Sequence, residues 1–171
     1  GMSKLQPARF NVGEAVEDVA RLARNTLGVD CELDVVTPDE AALVNGDATQ
    51  IRKVVMNLIV NAREAVGDDG RIEMHLSMRD VRDDASIDAF TGSVRAGRYA
   101  VLRVRDNGCG IKPGELARIF EPFFSTKEDG HGLGLAGVLG LVRSHEGFLD
   151  VKSTVGEGTT FEVYLPSVAG K

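Results

Sequence analysis

The sequence predicts an α/β chain in two layers: a mixed sheet with about three helices on one face and a glycine-rich lid. Three observations carry that expectation. The apolar period switches between helical and strand spacing in the order helix, strands, helix, strands, lid, helix, strands. The helical stretches carry apolar stripes, which a sheet covered on one side would bury. Residues 106–135, DNGCGIKPGELARIFEPFFSTKEDGHGLGL, interrupt the pattern with glycines at both ends, an aromatic cluster and a lysine.

Taken in order, Gly1 and Met2 read as a cloning remnant before a start residue, and residues 3–9 as an irregular lead-in. Asn11 with Glu14 fits a capping box, and Val12, Ala15, Val16, Val19, Leu22, Ala23 and Leu27 form one apolar helix face that Gly28 ends. Cys31, Leu33 and Val35 alternate with Glu32 and Asp34 as a strand with one wet face; residues 38–40 turn, and 42–45 give a short second strand. Asp47 caps the next helix, with Gln50 three on, and Ile51, Val54, Val55, Leu58, Ile59 and Ala62 face the core. Residues 67–70 end it. Two strands follow at 71–78 and 98–105, joined by a charged, small-residue-rich stretch at 79–97 that reads as an exposed loop. Inside the lid, 113–119 is a short helix with Pro113 at its start. An apolar helix over 133–144 stops at Gly147, and strands at 148–153 and 159–165 close the chain across a 156–158 turn.

The chemistry concentrates at three places. On the second helix Lys53, Asn57, Asn61 and Glu64 recur at helical spacing, so two amides project from one face. Asp106 stands at a strand terminus, where its carboxylate could accept from a base amine, and Gly108 and Gly110 let the backbone turn towards a flat ligand. At the lid's far end Gly130, Gly132 and Gly134 lead into a helix whose free N–H groups suit an anion, with Lys127 as a mobile positive charge for it. Phosphates are the obvious anion. Phe120, Phe123 and Phe124 either fasten the lid to its own core or grip a partner, and His131 either bonds a phosphate or faces solvent. His75 reads as structural, and His145 as a charge partner at a helix C-terminus.

Composition bounds the classes. The chain has 171 residues, 43% hydrophobic, the size of one domain with a real core. Its net charge of −6 and lack of a basic cluster argue against a nucleic-acid partner. The longest apolar run, 133–142, falls short of the roughly 20 residues of a membrane span, so no membrane contact is expected and a soluble cytoplasmic domain is. Cys31 and Cys109 lack metal or disulfide spacing, and Cys109, inside the Asp106 loop, reads as an inert small residue.

DNGCGI, FEPFF with STK, GHGLGL and GEGTTF resemble the G1, F, G2 and G3 boxes of the ATP-binding domain of sensor histidine kinases, and NLIVNAREA at 57–65 resembles their N box. The wider group includes gyrase, Hsp90 and MutL ATPases. The likeness covers about residues 10–166, with 1–9 as leader and 167–171 as tail, and implies the Bergerat fold with an ATP lid. It implies ATP and Mg²⁺ as cofactors. Asn61 would hold the metal with Asn57 beside it; Asp106, Gly108, Gly110, Ile111 and Thr159 would line the adenine end. Phe120, Lys127, Gly130, His131, Gly132, Leu133, Gly134 and Leu135 would form the lid side, and Glu64 would sit beside the site.

The gyrase and Hsp90 relatives carry a water-activating Glu where this chain has Asn57, which cannot act as a base, so phosphotransfer is favoured over hydrolysis. No helix here carries a His–Glu or His–Asp pair leading into a dimerising hairpin. The resemblance therefore implies an acceptor histidine on an adjoining dimerisation domain, a response-regulator receiver domain downstream, and any membrane anchor outside this chain. A self-contained gyrase- or Hsp90-type ATPase, an anti-sigma-type serine kinase and a non-catalytic ATP-sensing scaffold are the competing readings.

Overall fold

The structure, a computed structural model, describes residues 8–82, 87–89, 91–122 and 134–168. A strand, β1 (Ala8–Asn11), leads into helix α1 (Val12–Leu27); β2 (Cys31–Val36) and β3 (Leu43–Gly46) precede α2 (Ala48–Ala65). Then come β4 (Gly70–Val81), β5 (Ile87–Ala89), β6 (Gly92–Val94), β7 (Gly97–Asp106), the short α3 (Pro113–Leu116), α4 (Gly134–Ser144), β8 (Phe148–Thr154) and β9 (Gly158–Pro166). The central sheet has the order β2-β4-β7-β9-β8, with β2 parallel to β4 and the other pairs antiparallel, so it is mixed as expected.

Both long helices begin where their caps predict. Asn11 Oδ1 accepts from the Gly13 N–H at 2.9 Å and also from Ala42 N–H at 3.1 Å, tying the helix start to the approach to β3. Asp47 Oδ1 accepts from Thr49 and Gln50 N–H groups at 2.9 and 3.3 Å. The α2 residues expected in the core are its buried residues. On α1 the expectation holds except at Leu22, which is 61% exposed, while Ala20 is buried. The buried stripe is turned away from Leu22 towards Gly13 and Ala20.

Strand alternation separates two cores. Ala100, Leu102 and Val104 of β7, with Phe161, Val163 and Leu165 of β9, join the helices in the main core. Tyr99, Val101 and Tyr164 point the other way and pack with Val81, Ala89 and Val94. This corrects the reading of 79–97 as a plain exposed loop. β4 runs on to Val81, β5 pairs with β6, and Thr91 exchanges hydrogen bonds with Leu149, its N–H donating to the carbonyl at 3.2 Å and its hydroxyl accepting from the N–H at 3.0 Å. Aromatic residues outside the segment supply the apolar surface that covers it, which its own composition does not reveal.

The lead-in is also corrected at its end. β1 starts at Ala8 and pairs antiparallel with β3, Ala8 opposite Gly46. β3 therefore pairs with the chain's start in a separate two-stranded sheet instead of joining β2.

Candidate functional site

Asp106 closes β7 and is 4% exposed; its Oδ1 accepts from the Gly108 N–H at 2.8 Å, which bends the chain back over the strand end. Asn107 then extends the sheet with its side chain. Its Oδ1 accepts from Arg71 N–H at 2.8 Å, its own N–H donates to Arg71 O at 3.2 Å, and its Nδ2 donates to Asp69 O at 3.3 Å. Cys109 N–H donates to Ala65 O, the last residue of α2, at 3.1 Å, and Cys109 O accepts from Gly156 N–H at 2.8 Å. The loop after β7 is thus fastened to β4, α2 and the β8–β9 turn at once. Cys109 itself is exposed, and its backbone rather than its thiol makes the ties.

Two glycines are demanded by this arrangement. Gly110 has φ +76°, and a Cβ there would lie 2.3 Å from Thr154 O. Gly158 has φ +126°, and its Cβ would lie 2.0 Å from Asp106 O. The close approach lets the loop and the β8–β9 turn meet over the strand end.

Across the sheet, Asp106 stands opposite Thr159, and Thr159 opposite Ser153. Thr159 is 3% exposed, on the same strand face as Phe161. Ser153, which sequence reasoning passed over, accepts from Ile111 N–H at 2.7 Å and lies 2.8 Å from Thr159 Oγ1. Its signal was a hairpin register: six residues before Thr159 across a glycine turn, on the same face.

Asn57 and Asn61 are half-buried on α2, while Lys53 and Glu64 are exposed. Asn57 Nδ2 donates to the Lys53 carbonyl at 2.8 Å, which directs the amide oxygen away from its own helix. Ile111 and Phe120 are half-buried and pack against the main core. Gly134 opens α4 in an exposed position, and Leu135 behind it is half-buried against the core. Phe123, Phe124, Lys127, Gly130, His131, Gly132 and Leu133 lie outside the described residues.

His145 corrects an expectation. It is 8% exposed, its Nε2 accepts from Asp47 N–H at 3.0 Å and its Nδ1 lies 2.8 Å from Leu141 O. It is therefore a neutral ring with the proton on Nδ1, joining the end of α4 to the cap of α2, and not a surface cation. His75 is half-buried on β4, with Arg103 Nη2 3.4 Å from its Nδ1, and joins none of the residues above.

A buried carboxylate at a strand end, a glycine loop against a helix bearing two amides, and a mixed sheet under helices make up the candidate site of this α/β domain. Residues 46–169 match the family described as histidine kinase-, DNA gyrase B-, and HSP90-like ATPase. The chain is 35% identical over 164 residues to the sensor kinase CckA of Brucella abortus, covering 95% of this chain and 17% of that protein. It is 32% identical over 160 residues to the signal transduction histidine-protein kinase AtoS of Escherichia coli, covering 92% of this chain and 24% of that one. Among solved structures, a mycobacterial sensor histidine kinase, MprB, superposes with TM-score 0.74 at 28% identity, covering 95% of this chain and 99% of the other. The catalytic domain of the histidine kinase ThkA superposes with TM-score 0.75 at 26% identity, covering 95% and 96%.

The chain belongs to the histidine kinase-, DNA gyrase B- and HSP90-like ATPase family, with the Bergerat fold of histidine kinase catalytic domains and ATP as its ligand class. It spans 17% and 24% of the length of CckA and AtoS. Among the described residues, no helix is long and apolar enough to cross a membrane.

Proposed function

We propose that this chain is the ATP- and Mg²⁺-binding catalytic domain of a two-component sensor histidine kinase, with residues 10–166 as the functional unit. Its reaction passes the γ-phosphoryl group of ATP to a histidine on a dimerisation domain of the same protein, from which a cytoplasmic response-regulator receiver domain takes it. The buried Asp106, held by the Gly108 N–H at a strand end, carries the reading. A carboxylate there accepts from the exocyclic amine of adenine, and Thr159 beside it completes that edge.

The donor set of α2 fits a hard cation. Asn61, with Asn57 beside it, would offer neutral amide oxygens, which together with phosphates and waters suit an octahedral ion. Bound there, Mg²⁺ would offset charge on the phosphate oxygens. Lys127 and the 130–134 backbone would serve the same charge from the lid, with His131, Leu133 and Leu135 around them. Gly108, Gly110 and Ile111 shape the loop over the base. Catalysis here is positioning and charge stabilisation, without a covalent nucleophile on this chain. Asn57, an amide bonded to its own helix, is no base for water, and Glu64 is exposed at the helix's last turn. That favours transfer over hydrolysis.

Calorimetric titration of a non-hydrolysable ATP analogue, with and without Mg²⁺, tests the site. Saturable binding that Mg²⁺ strengthens and Asp106→Asn weakens is expected, followed by phosphate transfer to an added histidine-bearing hairpin. Absence of both heat and a thermal shift with any nucleotide would sink the reading. Steady ATP hydrolysis indifferent to the hairpin would replace transferase by ATPase.

A further inference from the structure

His145 follows the last residue of α4, and its ring is seated over the last residue of β3: a Cβ on Gly46 would fall 2.2 Å from His145 Cδ2 and 2.5 Å from its Nε2. That seat leaves Nε2 facing the Asp47 N–H at 3.0 Å. The amide can only donate, and the Leu141 carbonyl at Nδ1 can only accept, so both ring nitrogens have a partner. The buried ring thus holds the end of α4 on the residue that caps α2.

The same N–H has a second natural acceptor. Asp47 and Gln50 stand three apart, the spacing of a capping box, in which the side chain at the third helical position returns to the N–H of the cap residue. Only half of that box is closed. Asp47 Oδ1 accepts from the Thr49 and Gln50 N–H groups, whereas the Asp47 N–H goes to His145 instead of returning to Gln50. Among the described residues, Gln50 Oε1 is the only buried side-chain polar atom without a hydrogen-bond partner. A buried oxygen left unpaired is costly, and an exchange of partners at Asp47 explains it.

We infer that the Asp47 N–H is a two-way latch for α4, taken by His145 Nε2 when the helix is seated and by Gln50 Oε1 when it is released. The exchange conserves one hydrogen bond at the cap: the bond to Nε2 breaks as the bond to Oε1 forms. On release the ring nitrogen is left to water, and the buried oxygen gains its partner. The cap of α2 stays closed in both positions, so the two lie close in free energy and a ligand can choose between them.

The latch matters for the proposed site because α4 packs against α2 and begins at Gly134. At 1.5 Å per residue α4 is about 16 Å long, and Asn57 lies about 15 Å along α2 from Asp47. Pinned at Asp47 and lying against α2, the helix brings its first turn near the level of Asn57. His145 is therefore a positioning residue for the phosphate end of the nucleotide, acting through α4. This consequence rests on the function proposed above; the latch itself does not.

The first test needs no nucleotide. Hydrogen exchange of the Asp47 amide is followed by NMR on the whole chain, in wild type, His145→Ala, Gln50→Ala and the double variant. Protection is expected in wild type and both single variants, with exchange roughly tenfold faster or more in the double variant. Loss of protection in His145→Ala alone, or protection that survives the double substitution, overturns the latch. The second test is the affinity for a non-hydrolysable ATP analogue with Mg²⁺. The two acceptors favour opposite positions, so His145→Ala should weaken binding about tenfold and Gln50→Ala should tighten it roughly two- to threefold. Gly46→Ala, whose new methyl pushes the ring off its seat, should weaken binding as His145→Ala does, and His145→Gln, whose amide oxygen can reach the same N–H, should restore it. Should His145→Ala fail to fold, Gly46→Ala carries the comparison. A merely structural link predicts weaker or unchanged binding in Gln50→Ala, and that result overturns the positioning role. A wild-type chain that binds no nucleotide overturns the proposed function and the positioning role together, while the exchange data still decide the latch.

Discussion

At one end of the central sheet the polar groups are short side chains and backbone; at the other they are the tips of large rings. Tyr99 and Tyr164 sit on the face away from the helices, 5.9 Å apart at 80°, and Phe148 lies 6.2 Å from Tyr99. Tyr99 OH donates to Arg95 O at 2.8 Å, and Tyr164 OH accepts from Arg79 Nη1 at 2.6 Å, with Glu162 pairing the same guanidinium at 3.2 Å. Each ring fills volume, and its hydroxyl ends on a protein group. The Asp106 end has no such filler in its row: a carboxylate, two small hydroxyls and glycines meet there, held by backbone ties. Ring packing fills volume, whereas the row of small polar groups leaves room at the strand end where the proposed nucleotide site lies.

Substitutions at the two ends should therefore separate stability from binding. Tyr164→Ala removes a fully buried ring and should cost about 3–5 kcal/mol in denaturant unfolding, with the ATP affinity of the folded fraction unchanged. Gly158→Ala should cost about 2–3 kcal/mol and also reduce nucleotide affinity, because the new Cβ would sit 2.0 Å from the carbonyl of Asp106 itself. Equal affinity in that variant would show that the turn does not shape the base site. Asp106→Asn should lower ATP affinity by about 30-fold while the ligand-free melting temperature barely moves, since an amide oxygen still accepts from Gly108 N–H.

The smallest effect is the pH response of the ring end. Burial pushes both tyrosines up from 10.0, with the neighbouring Glu162 adding to the rise at Tyr164. A folded-state pKa above the unfolded one means that the folded state holds its proton longer. The stabilisation is full below about pH 10 and is lost as pH rises through the folded values. Melting temperature should fall above that pH, less steeply in Tyr164→Phe. A site-end variant such as Asp106→Asn should leave that alkaline slope as it is.

Local signals made much of this legible. Asn11 and Asp47 announced their helices because a cap bonds its own first turn, and the α2 core residues followed from period alone. Asp106 and the glycines stood out because strand ends and turns leave a local mark, whereas Thr159 was named only through the family resemblance. Leu22 misled because an apolar residue at the edge of a stripe reads like one inside it. His145 misled for a different reason. Its position after a helix suggested a surface charge, but its partner, the Asp47 N–H, lies 98 residues away in sequence.

By itself the sequence determined the two-layer α/β class and the order and caps of the long elements. Those depend on neighbours within a turn or a strand. Only the tertiary structure decided that β3 pairs with β1, that residues inside 79–97 cover a second core, that His145 is a buried link, and that Ser153 stands in line with Thr159 and Asp106. Each of these hangs on strand register or on surface offered from elsewhere in the chain, and a local pattern carries no record of either.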